Sequence, residues 1–545
     1  MCRRKTRQKQ RQKDAELTKQ VEGVQTPAST PKSNTAQNRR IYASGYDRHG
    51  ASGVKRSMQG WISPPGSPDD DLVDNLDALR ARSRDLFMGS PLATAAIKNI
   101  RTNVVGSGLV LNAQIDHARL GMTDDEGRAW ERNAEREFIS WAGTTLCDAS
   151  RTLTFGQLQA LAIMSALMSG DCFVTLPSIP RPGSRYDLRI HIIEGDCICD
   201  PTPLPVDKDV FEGVEVDKWG APVAYYIAKY HPNAFVHRTI KQGVQEWTRT
   251  PAFGSQTGRR LVLHLMPDVE RPGQRRGTPL LAQVMEPLKQ LERYTEAELM
   301  AAVVASMYTV FIRTSTPDAM LGSGIPGGML LPETEADETA YELGNGSIVG
   351  LKEGESIEVA SPNRPYTGFD MFVTAMAKQI GAALEIPYEI LTKSFNTSYT
   401  AARAAMVEVW KMYEARREWL VSHFCRPIYE EWLAEAVSKG YIDAPGFFED
   451  DSIRAAWSGS DWIGAAQGSL DPTKDVQAAE MRVQSDFSTR EREAAELTGM
   501  RIDRILRVRA REESARRESG LVTDNNGQLV KEQTEASTEE GVDNG

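Results

Sequence analysis

The 545-residue chain lacks most of the marks of an enzyme. No GxxxxGK[ST] segment is present to cradle nucleotide phosphates on backbone amides. HExxH is absent, and so is GxSxG, which removes a helical zinc pair and a nucleophile elbow. Cysteine is scarce: Cys2, Cys147, Cys172, Cys197, Cys199 and Cys425 form no disulfide framework, so a reducing compartment is expected. The seven histidines (His49, His117, His191, His231, His237, His264 and His423) form no cluster, although a triad assembled from distant positions stays open. The N-terminal stretch has basic residues but no apolar core, so no signal peptide is expected. The longest apolar run, Leu299 to Ile312, is too short to cross a bilayer and reads as a buried helix. No internal repeat is visible. A net charge of −11 argues against a surface that coats nucleic acid, which needs clustered Lys and Arg.

What is present reads as several domains of mixed structure. Residues 1–40 form a basic, Gln-rich tail with nothing to bury, expected to be disordered. Residues 41–277 begin with helical patterns at 70–100, Asp124 to Trp141 and Phe155 to Ser169, the last ending at Gly170, a good C-terminal cap. From Asp171 to Leu265 the period shifts towards two: DCFVTLP, LRIHIIEG, VAYYIAKY and RLVLHLM read as strands, with WGAP (Trp219 to Pro222) as a hairpin turn. RPGQRRGTP (Arg271 to Pro279) feeds a long helix over 278–312, and residues 313–366 are Gly-, Pro- and acid-rich short strands and turns. After Lys439 the pattern loosens through WSGSDW and LDPTKDVQAA, then becomes helical and densely charged from Thr489 to Arg517. Residues 516–545 are acidic and expected to be disordered.

The stretch from Met371 to Val437 organises the rest. Phe372, Met376, Ile380 and Leu384 make an apolar stripe on one helix, which Pro387 stops. Asn396, Thr397 and Ser398 can cap a second helix, whose Tyr413, Leu420, Phe424, Ile428 and Trp432 share a side. Pro427 inside it predicts a kink near His423 to Pro427. Two helices thus present a small polar loop at their junction.

Three constellations invite chemistry. Asp69, Asp70 and Asp71 could hold a cation, but acids at a helix start suit its dipole and are the favoured reading. Asp196, Cys197, Cys199 and Asp200 offer ligand types for a metal-dependent nuclease or hydrolase. No second pair of ligands accompanies them, so alternating Cys in a β core is favoured. Arg501, Arg504, Arg507, Arg509 and Arg511 could meet phosphate, but interleaved acids favour a salt-bridged solvent face. No metal and no cofactor is expected.

Several segments together resemble the lambda-like family of tailed-bacteriophage portal proteins. They are RSRDLFMGSPLATAAIKNIRTNVVGSGL (Arg82 to Leu109), LMSGDCF (Leu167 to Phe173), RPGQRRGTP with its helix, SYTAARAA (Ser398 to Ala405) and WSGSDWIGAAQGSLDPTKDVQAA (Trp457 to Ala479). They cover roughly 40–515 in the family's order.

The resemblance implies an α+β portal fold assembled as a closed ring, usually a dodecamer, at one capsid vertex of the virion, built in the host cytoplasm. Double-stranded DNA passes through the channel without sequence specificity. Terminase large subunit, major capsid or scaffold proteins and head-completion or tail-connector proteins are the implied partners, with no membrane and no catalytic residues. Mapped onto this chain, 41–277 becomes the wing, 278–312 the first stem helix, 313–366 the clip and 367–392 the second stem helix. Residues 393–400 become the tunnel loop, 401–440 the kinked tunnel helix and 441–515 an α-helical crown. Lys393, Asn396, Thr397 and Ser398 are then the DNA-facing residues, with Lys393 either a phosphate partner or a solvated helix end. A capsid or scaffold subunit without a channel is the other structural reading. Weak polar contacts suit a channel, because every Lys–phosphate contact adds affinity and therefore drag, and an acidic ring repels a tight grip.

Overall fold

The structure, a computed structural model, describes residues 56, 65–234, 245–306, 310–314, 355–359, 368–395, 398–468, 471–519 and 521. The chain divides into two units, 1–65 and 66–545, and the α-helices and β-strands among the described residues belong to the second. The tail at 1–40 and most of 313–366 lie outside the described residues.

The acidic run opens helix α1 (Pro68–Val73). Ser67 Oγ accepts from the Asp70 amide at 3.2 Å, and the Asp70 carboxylate accepts from the Ser67 amide at 3.0 Å. Helices α2 (Leu76–Gly89) and α3 (Pro91–Val104) follow, then strand β1 (Val110–Ala113) and the short α4 (His117–Leu120). Helix α5 (Asp124–Ala142) starts on a Thr123/Glu126 capping box, and α6 (Phe155–Ser169) stops at Gly170, φ 89°.

The strand module holds two antiparallel sheets. One has the order β3 (His191–Glu194), β2 (Cys172–Thr175), β8 (Val262–Leu265); the other runs β4 (Asp209–Phe211), β5 (Val214–Val216), β6 (Pro222–Ala228), β7 (Trp247–Pro251). Phe173, Tyr225, Val214 and Val262 make a small core of their own. The WGAP turn is a hairpin between β5 and β6, in which the Asp217 carboxylate accepts from the amides of Trp219 and Ala221.

Beyond it come α7 (Met285–Ser306), the antiparallel pair β9 (Val310–Thr314) and β10 (Glu355–Val359), α8 (Phe369–Ala383), α9 (Tyr388–Thr392) and α10 (Tyr399–Leu420). A five-residue π segment, Val421–Cys425, joins α10 to α11 (Arg426–Ser438). The described chain ends through α12 (Asp451–Trp457), β11 (Ser460–Ile463), α13 (Pro472–Gln484), α14 (Arg490–Thr498) and α15 (Ile502–Glu518).

The main core forms where α11 meets the N-terminal helices. Phe138 of α5 sits edge-on to Phe155, Tyr429, Trp432 and Trp462, with centroids 5.1–5.8 Å away. Leu420, Phe424, Ile428 and Trp432 are fully buried and Tyr413 nearly so, as the stripe on the long helix requires.

Several expectations need correction. The helix expected over 278–312 ends at Ser306, and Val310 already belongs to a strand. Its end is not buried, since Leu299 is 65 % and Met300 58 % exposed. The span 367–392, expected as one stem helix with a stop at Pro387, is the two helices α8 and α9, because proline lacks the donor a continuous helix needs and Glu385 takes a positive φ of 58°. WSGSDW and LDPTKDVQAA are not loose. The first ends α12 and enters β11, which pairs with β1 (Val110 opposite Ile463), and the second opens α13. Residues 442–462 supply Ile442, Phe447, Trp457 and Trp462 to the main core. Gly499 breaks the final helix in two, and α15 runs past the expected start of the tail to Glu518.

Candidate functional site

The loop between α9 and α10 is held at both ends. On the entry side the chain doubles back after α8, with the amides of Leu384 and Ile386 donating to the Gly381 carbonyl. A Cβ at Gly381 would meet the Ile386 oxygen at 2.5 Å, so only glycine permits this return. The turn lays α9 down with Leu391 buried in the main core. Lys393 caps α9 in the left-handed conformation, φ 55°, with its side chain exposed.

On the exit side Ser398 is the N-cap of α10, its hydroxyl accepting from the Ala401 amide at 3.3 Å. This is the capping role its sequence position predicts. Asn396 and Thr397 lie outside the described residues. The structure therefore brings Lys393 and Ser398 to the two ends of one short loop. It adds two aromatic residues that sequence reasoning passed over: Phe395 is 54 % and Tyr399 52 % exposed. An aromatic side chain beside a polar loop was the available signal.

Helix α3 anchors both sides. Asn99 Nδ2 reaches the Ile390 carbonyl of α9 at 3.5 Å, and Asn99 Oδ1 accepts from the Tyr413 hydroxyl of α10 at 3.1 Å. One turn further on, Arg417 of α10 donates to the carbonyls of Asn103 (2.8 Å), Val104 (3.1 Å) and Ala465 (2.9 Å). The first two are end carbonyls of α3, which have no helical donor of their own and lie at the negative end of its dipole. The helix departs from regular α geometry where Pro427 predicts a kink. Proline supplies no N–H to the His423 carbonyl, and the π segment Val421–Cys425 takes up the misfit.

A second centre fixes the strand module to the base of α7. Asp171, fully buried, accepts from Arg80 Nη2 (2.7 Å), Arg276 Nε (2.6 Å) and the Gly277 amide (3.1 Å). Burial alone would raise its carboxyl, but the guanidinium groups of Arg276 and Arg80 overcome that and hold it well below the usual carboxylate range. His264 lies 3.5 Å away, and burial lowers its pKa despite the carboxylate. Gly170 and Gly277 touch backbone to backbone: a Cβ on Gly277 would fall 1.9 Å from the Gly170 oxygen. The LMSGDCF and RPGQRRGTP segments are thus two halves of one joint, which their separation in sequence concealed.

The Asp196–Asp200 constellation does not assemble. Asp196 pairs with Arg84 (2.7 Å), Cys197 packs on the small core, Cys199 accepts from the Trp247 indole (3.3 Å) and Asp200 from the Gly213 amide (2.8 Å). Ligand-type atoms of Glu194, Asp196 and His231 do lie within 4.8 Å of one another, but Arg84 already holds an oxygen of each carboxylate. At the start of the arginine-rich helix, Arg501 pairs with Glu135 and Asp503.

An α+β body in which a helical limb leads into a long helix interrupted by a π segment fits the phage portal fold. Residues 54–417 match the phage portal protein, lambda family, and the chain belongs to that family. It is similar to portal protein B of Escherichia phage lambda, 26 % identical over 87 % of this chain and 90 % of the relative. It is equally similar to the portal protein of Escherichia phage N15, 26 % identical over the same shares. Among solved structures it resembles a chain from the neck of a native gene transfer agent particle, at 13 % identity and a TM-score of 0.39, covering 78 % of this chain and 93 % of that one. Its function is that of a phage portal protein: a structural component of the phage particle and not an enzyme.

Proposed function

We propose that copies of this chain close into a ring whose channel conducts double-stranded DNA into and out of the capsid. In this reading Lys393, Asn396, Thr397 and Ser398 face the DNA. The observation that carries it is the double anchorage beside the loop: Asn99 bonds both α9 and α10, which bound a short segment with a single cation, Lys393, per subunit. Such a contact can touch a moving polyanion without gripping it, because affinity for DNA grows with each phosphate neutralised.

Assignment of 313–366 as the clip that docks terminase and head-completion proteins, of 278–312 and 367–392 as the stem, and of 441–515 as the crown belongs to the same proposal. So does assembly in the host cytoplasm. Negative-stain images of the purified chain test the ring: annular particles with a central hole are expected. A monomer or a solid lattice, as a channel-less shell subunit would give, overturns it.

A further inference from the structure

Among the described residues, helix α15 meets α14 only near its start and packs on nothing beyond Ile505. Every described residue from Leu506 to Ser519 is exposed, and no residue of the helix is buried. A helix of this length is marginal in water without a packing surface. From Arg504 to Arg511 it carries four arginines and no acid, interleaved with exposed Leu506 and Val508. Among the described residues, Arg504, Arg509 and Arg511 form no ion pair.

The same subunit carries a surface of the opposite character. A groove of about 1080 Å³ runs between α10, β11, α13 and α14, and no residue of α15 lines it. The groove's arginines are already engaged: Arg403 with Asp475, Arg482 with Glu493, Arg492 with Glu496 and Arg417 with backbone carbonyls. Three of its acids are less fully engaged: among the described residues, Glu414 accepts from the Trp410 indole and lies within the field of Arg417 and Arg492, Glu418 meets Arg426 at 3.7 Å, and Glu491 forms no ion pair. Val407 and Leu497 lie exposed along the same walls.

We propose that α15 of one copy seats in this groove of a neighbouring copy, its arginines meeting Glu414, Glu418 and Glu491 while Leu506 and Val508 cover Val407 and Leu497. The contact is head-to-tail, a helix on one face and its receptor on another, and a head-to-tail contact that closes generates a ring. This rests on the ring reading and names a surface that holds the ring together.

Two charge-reversed full-length chains test it. The first carries Arg504→Glu, Arg507→Glu, Arg509→Glu and Arg511→Glu; the second carries Glu414→Lys, Glu418→Lys and Glu491→Lys. Each alone sets like charges against each other, and native mass spectrometry should show ring yield falling about tenfold or more. Co-expressed, the two chains can alternate so that every junction is complementary, and rings containing equal numbers of each should return. Wild-type ring yield from either single variant overturns the proposal, as does failure of the mixture to recover. A first variant that keeps its rings but loses mobility-shift binding of DNA overturns it in favour of a nucleic-acid role for α15. Absence of rings from the wild-type chain instead removes the ring reading itself.

Discussion

Replacing Asp171 by asparagine keeps the shape of the buried joint and removes its charge. Two buried guanidinium groups, those of Arg80 and Arg276, then face a neutral amide. Breaking a buried ion pair from one side costs about 3–5 kcal/mol. The lower end applies here, because both arginines keep carbonyl acceptors: Arg80 on Ser169 (2.9 Å), Arg276 on Ile198 (2.8 Å) and Gly195 (2.7 Å). A loss of about 3 kcal/mol in a body this large lowers Tm by roughly 3 °C. Scanning calorimetry of the full chain reads the shift. Hydrogen exchange reads its place, and protection should fall at 167–173 and 275–281 well before it falls in α10. A loss under about 1 kcal/mol would mean that the pair does not hold the joint, and an unfolding signal spread evenly over the chain would mean that the joint is not local.

Gly277→Ala should prevent recovery of soluble protein, since its Cβ would meet the Gly170 oxygen at 1.9 Å; a soluble variant with wild-type Tm refutes the close approach. Arg417→Ala strips two end carbonyls of α3 of their donor and should cost about 2 kcal/mol in urea titration, with Arg417→Lys recovering only part. Acid should destabilise the chain in two stages. Burial lowers the His264 pKa, so the unfolded chain takes that proton first and stability declines as pH falls below about 6.5. The Asp171 carboxyl is held low, so its contribution is present above the unfolded value and disappears as pH drops below about 4. His264→Gln should flatten the first stage alone. Glycines at Asn396, Thr397 and Ser398 should leave rings intact and impair DNA packaging or retention, and wild-type packaging would refute the loop's role.

The elements that depend on local chemistry were legible in the sequence. Capping at Ser398, the stop at Gly170, the WGAP hairpin and the irregular turn before Pro427 each follow from one or two neighbouring residues. What escaped was fixed by residues far apart. β1 and β11 are each four residues long and separated by some three hundred and fifty positions, so neither carries a period strong enough to read alone. The role of Asp171 escaped notice because its partners, Arg80 and Arg276, lie 91 and 105 positions away. The exposed end of α7 was misread for a different reason. Apolar composition signals burial only when the burying surface is in the same chain, and Leu299, Met300, Met371 and Phe372 are exposed together on α7 and α8.

The loop's function should depend on Asn99 more than the stability of the fold does. Asn99 bonds residue 390 on one side of the loop and residue 413 on the other. The 3.5 Å contact to the Ile390 carbonyl is at the limit of a hydrogen bond, whereas the 3.1 Å bond from Tyr413 is a full one. Asn99→Ala and Tyr413→Phe each remove the stronger bond and should each cost about 1 kcal/mol, with the double variant costing little more than either. Packing of Leu391 and Val409 in the main core keeps both helices folded, so rings should still form. The span between the anchors is then free to shift, and packaging or retention of DNA should drop in both single variants alike. Additive stability losses would mean that the two side chains act separately. Wild-type packaging with the bond removed would mean that the loop needs no frame, and the double anchorage would cease to support its place in the channel.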